Sequence, residues 1–148
     1  MRQGFSRAVL TPIMLLATVE VSVASAGWTH EITTDPVTKI VTCTVQIHPQ
    51  TVPFPWFLVH GDGSAAVAVV GDMSIGEPQS FRVDAHDPVS ESDRLTGPRA
   101  KRLISEVRAG GKTLSADFVL FPSSRHQTLT VDLAGIKEHL DACLAATH

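Results

Sequence analysis

Between residues 39 and 48 the chain alternates, with Val41, Cys43, Val45 and Ile47 on one face and Thr42, Thr44, Gln46 and His48 on the other. A period of two with one apolar face is the pattern of a half-buried strand, and it turns Cys43 toward the core. Residues 27–34 read as an earlier strand, anchored by Trp28 and ended by the Asp35-Pro36 turn. Three prolines between His48 and Trp56 predict a stiff loop, because proline has no N–H to give to a ladder. Residues 57–60, 65–70 and 79–86 then read as short strands separated by glycine-bearing turns, the last with Phe81, Val83 and Ala85 facing inward. Residues 87–93 read as a polar loop.

The period changes at residues 96–111, where Ala100, Leu103, Ile104 and Val107 fall at i, i+3, i+4 and i+7. Pro98 suits a first helical turn, Thr96 or Gly97 can cap it, and Gly110 can end it in the left-handed conformation. Strands are predicted again at 112–121 and 126–133, the second with Leu129, Val131 and Leu133 on one face. A last helix buries Ile136, Leu140, Cys143 and Leu144 and turns Lys137, Glu138 and Asp141 to water. About seven short strands and two short helices, one of them C-terminal, lack a regular strand–helix alternation. That order predicts an α+β domain on a mainly antiparallel sheet, folded as a sandwich or an open barrel.

Residues 1–26 do not fit this pattern. Arg2 and Arg7 precede an apolar run over residues 8–19, and Ala24-Ser25-Ala26 supplies a small-x-small site before Gly27. This is the layout of a secretory signal peptide, and Pro12 and Glu20 interrupt it as a membrane-spanning helix, which needs about 20 apolar residues. Cleavage would leave residues 27–148 as a single domain with no transmembrane segment. It would also remove Arg2, Arg7 and Glu20 and move the net charge from −3 to −4. A negative chain is a poor binder of nucleic acid or of anionic lipid through a basic surface. The expected location is periplasmic or secreted.

Export gives the cysteines a meaning. Cys43 and Cys143 are the two cysteines of the chain, and in an oxidising compartment they are expected to pair. Closing so long a loop stabilises by about 4–5 kcal/mol on the chain-entropy account. Small domains have a total stability of only about 5–15 kcal/mol.

Catalytic patterns are sparse. The seven histidines show no H-x-x-x-H or H-E-x-x-H spacing, so no metal site is expected. No G-x-S-x-G elbow or phosphate-cradling glycine loop occurs, and no cofactor is implied. The neighbourhood of Asp84, His86 and His60 is the one candidate for acid–base work in a small periplasmic enzyme. Two binding surfaces compete with it. Phe54, Trp56 and Phe57 lie in the proline-stiffened stretch, where rigid aromatics would lose little entropy on docking. Arg99, Lys101, Arg102 and Arg108 form a basic helix face, with Glu106 placed to pair Arg102.

The export segment, Trp28, Cys43, the segment RAKRLISEVRAGGKTL and the closing VDLAGIKEHLDAC together resemble the invasion associated locus B family of exported alphaproteobacterial proteins. The resemblance implies an envelope protein, with family members associated with entry into host cells and no agreed activity. It differs from that pattern in its proline-rich stretch. The expectation is a non-catalytic binding or accessory protein whose partner is a protein or another envelope component.

Overall fold

The computed structural model describes residues 27–48 and 52–148. The expected export segment and Pro49, Gln50 and Thr51 of the expected loop lie outside the described residues. Nine strands and two helices follow in the order β1 (Gly27–Thr34), β2 (Val41–His48), β3 (Phe54–His60), β4 (Ala65–Val70), β5 (Pro78–Val83), β6 (Val89–Ser92), β7 (Leu95–Thr96), α1 (Gly97–Arg108), β8 (Thr113–Leu120), β9 (Arg125–Asp132) and α2 (Ile136–Ala146). They form two open antiparallel sheets, β1-β2-β3-β4-β7 and β6-β5-β8-β9. Neither sheet closes into a barrel.

The alternation read in β2 is realised, with Cys43 and Val45 fully buried. β1 runs beside it with Trp28 opposite Ile47, His30 opposite Val45 and Ile32 opposite Cys43. The Asp35-Pro36 turn has a specific fastener, since one carboxylate oxygen of Asp35 accepts the N–H groups of Val37 and Thr38. That local bonding is the usual reason aspartate opens a turn.

The stretch before Trp56 departs from expectation. Phe54, Pro55 and Trp56 belong to β3, paired with Val70, Val69 and Ala68 of β4. Pairing with β2 ends at Gln46 opposite Trp56, so Pro55 lies past that ladder and is tolerated in an inner strand. A second departure is the polar loop at 87–93, which contains β6. It pairs with β5 through Ser90 opposite Ser80 and Val89 opposite Phe81, and its polar composition is that of an edge. A third is Ala85, which is exposed because β5 stops at Val83 and the chain turns at Asp84 with φ of 48°.

One apolar core draws on both sheets and both helices. Phe57, Phe81 and Phe118 are its largest fully buried side chains, and Trp28 meets Phe57 edge-on with centroids 5.9 Å apart. The sheets are also joined by polar links. The buried Gln79 of β5 accepts the Val69 N–H of β4 at 2.8 Å, and the Trp28 indole N–H donates to the Asp132 carbonyl at 3.1 Å. A buried amide must be bonded in this way to avoid a desolvation cost.

α1 buries Ala100, Leu103, Ile104 and Val107 as its periodicity predicts, and Gly110 adopts φ of 106° after it. Its N-cap residue Thr96 makes no side-chain cap bond; the hydroxyl donates to Glu91 instead. α2 buries Ile136, Leu140 and Cys143. Cys143 is bonded to Cys43, with Cα atoms 5.3 Å apart. The C-terminal helix is thus tied to the second strand. No helix among the described residues is long and apolar enough to cross a membrane.

Candidate functional site

Lys101, Ile104, Ser105 and Arg108 occupy i, i+3, i+4 and i+7 of α1, a face that overlaps its buried stripe and turns toward the β3–β4 turn and α2. Between these three elements lies a cavity of about 270 Å³, just below the range of about 300–1,000 Å³ typical of ligand sites. Val59, Ala65, Ile104 and Leu144 give it an apolar floor, and His60, Lys101 and Arg108 stand at its rim.

Lys101 and Arg108 are the cations of the rim, with His60, Thr147 and His148 beside them. Arg108 Nε donates to Asp141 Oδ1 at 2.7 Å, and Lys137 Nζ donates to the other oxygen of the same carboxylate. Two cations therefore share one anion, and the trio keeps a net positive charge. The Asp141 carboxyl is held below its ordinary value, first by the Lys137 bond and then by that of Arg108, so the anion persists into acid. Lys101 makes no ion pair among the described residues. Asp62 lies beside His60, but its carboxylate accepts the Ser64 N–H within the turn at 2.8 Å, and it does not line the cavity. His60 is itself held, its Nδ1 2.9 Å from the Thr42 hydroxyl.

The basic helix face read from sequence is mostly neutralised. Arg99 lies 3.8 Å from Glu91, Arg102 donates to Glu106 at 2.9 Å, and Arg108 is shared with Asp141. Lys101 alone of the four has no ion pair among the described residues, and it lines the cavity together with the paired Arg108. The aromatic candidates separate too. Phe57 is fully buried and Phe54 nearly so, which makes both of them core. Trp56 is half-buried and lines a broader groove of about 520 Å³ with Val70, Glu91, Asp93 and Arg94.

The three residues of the candidate acid–base neighbourhood have separate partners. Asp84 accepts the N–H groups of Lys112 and Thr113, and its carboxyl is held below its ordinary value by those bonds, that of Lys112 first. His86 faces Glu106 at 3.8 Å, and His60 faces Thr42. No hydrogen bond or ion pair joins His60 to either of the others among the described residues. Among those residues, too, no cluster of three or more His, Cys, Asp or Glu side chains converges on a metal position.

Sequence reading missed the cavity because its parts looked like other things. Leu144 read as core, and Lys101 and Arg108 as part of a broader basic helix face with Arg99 and Arg102. The available signal was Lys101 and Arg108 flanking Ile104 on one helical face. No family model, curated protein or solved structure matches this chain.

Proposed function

We propose that the chain is an exported, non-catalytic binding protein of the bacterial envelope, whose cavity between α1 and α2 takes a small organic anion with an apolar body. The observation that carries this reading is an apolar floor with Lys101, which has no ion pair among the described residues, at its rim. The floor removes hydrocarbon or aromatic surface from water, and Lys101 meets the anionic group. A buried disulfide supports export, because such bonds persist in oxidising compartments. So do the signal-like residues 1–26 and the resemblance to the invasion associated locus B family. The two backbone N–H bonds that hold the Asp84 carboxyl below its ordinary value make it a weaker base, which supports a non-catalytic role.

Octanoate and octylamine, matched in chain and opposite in charge, test the cavity by calorimetric titration. Octanoate should bind and octylamine should not, and Lys101→Glu should weaken octanoate at least tenfold. Equal binding of the two, or binding of neither, refutes the anion site. Export is checked separately by the mass of the protein recovered from the periplasm. A start at Gly27, with no thiol alkylated before reduction, is the expected result, and freely labelled thiols would overturn it.

A further inference from the structure

His30 and His139 are 109 residues apart in sequence, yet their Nδ1 atoms lie 2.8 Å apart and their ring centroids 5.1 Å. The register explains the meeting. On β1, Trp28, His30 and Ile32 share one face because strand side chains alternate, and Ile32 lies opposite Cys43. On α2, His139 precedes Cys143 by four positions, about one helical turn, so the two project to the same side. Bonding Cys143 to Cys43 therefore lays His139 over β1 at His30. His30 is exposed and His139 half-buried, so the pair lies at the surface.

We propose that His30 and His139 form a two-histidine site for a divalent transition metal, with copper(II) the preferred ion. Two imidazole nitrogens this close, on rings tilted by 55°, can share a proton or ligate a common cation. In a tetragonal copper(II) site, neighbouring nitrogens about 2.0 Å from the metal stand about 2.8 Å apart, whereas the tetrahedral geometry of zinc with bonds of about 2.0–2.1 Å requires about 3.3 Å. At 2.8 Å the two nitrogens are close enough for one ion to take both once the rings turn to aim their lone pairs at it. Copper also heads the affinity order of the divalent first-row metals for nitrogen ligands. Water would complete the coordination. The ion would clip β1 to α2 beside the disulfide, two joints on one seam.

Trp28 lies two residues from His30 on the same face of β1, and the chain has one other tryptophan, Trp56. Trp56→Phe leaves Trp28 as the sole reporter. Titrating the oxidised protein in this background with copper(II) should quench Trp28 fluorescence with one equivalent bound at micromolar concentration, and the electron paramagnetic resonance spectrum should carry nitrogen couplings. His30→Ala and His139→Ala should each weaken binding at least tenfold, while His126→Ala, on β9, should leave it unchanged. If either alanine variant loses its near-ultraviolet circular dichroism, His30→Gln or His139→Gln replaces it as the test. Loss with His30 replaced but not with His139 replaced would mean a chelate built by β1 alone and would overturn the proposal. Equal binding by all variants would mean adsorption on scattered histidines and would overturn it too.

Discussion

α1 and α2 are nearly equal in length but held by different means. α1 buries four side chains, Ala100, Leu103, Ile104 and Val107, and has no covalent tie. α2 buries Ile136, Leu140 and Cys143, and one of those three is the disulfide itself. The helix with the shorter apolar stripe has the cross-link. At the end of α1 the fastening is close packing: a Cβ placed on Gly111 would meet Val83 Cγ1 at 2.4 Å. Next to it the Asp84 carboxylate gathers the N–H groups of Lys112 and Thr113. One seam depends on a bond in the unfolded-state balance, the other on fit in the folded state.

The comparison is broken most severely by removing the bond. Replacing Cys43 and Cys143 together by Ala should lower the unfolding free energy by about 4–5 kcal/mol on the chain-entropy account, enough to leave much of the population unfolded at 37 °C. Urea melts of the oxidised parent and the double variant measure it. A loss no greater than that of the next variant would mean that α2 packs as securely as α1 without the bond. Gly111→Ala should cost about 1–3 kcal/mol, the usual range for overpacking, with the disulfide intact. A neutral result in the same melts would show that Val83 yields and that the corner is looser than it looks.

The smallest effect lies at Asp84. Its folded-state carboxyl is held below the ordinary value of 3.8 by the Lys112 N–H first and the Thr113 N–H second. The unfolded chain therefore takes up a proton at higher pH than the folded one. This stabilisation is complete above about pH 4 and is lost as the pH falls through the lower folded value. Asp84→Asn should reduce the difference between urea midpoints at pH 7 and pH 3. An unchanged difference would assign the acid sensitivity to Asp35, Asp62 and Asp141, whose carboxyls are also held low.

Much of the fold is legible where side-chain period alone decides it. The alternation of Val41 to Ile47 and the spacing of Ala100 to Val107 give β2 and α1 directly, and two cysteines allow only one pairing within the chain. Other elements depend on neighbours the sequence does not name. Phe54 to Trp56 form strand because β2 has already stopped pairing when Pro55 is reached. β6 is a strand because β5 offers an edge to Ser90 and Ser92, which by themselves look like loop. Asp84 and His86 suggest chemistry as a cluster of letters, but Asp84 is spent on a turn. The meeting of His30 with His139 had no local signal at all, because it follows from the register of β1 and from where a helix is tied.

The order of synthesis adds a constraint that the finished fold hides. Among the described residues, β1 to β9 and α1 all precede Cys143 in the chain, so Cys43 waits for its partner until those elements have been made. The cross-link cannot guide the early pairing of β1 with β2 or of β3 with β4, and a premature bond within the chain is impossible because no third cysteine exists. It acts as a latch on an arrangement reached without it. Once α2 has docked, oxidation of the pair holds it against β2.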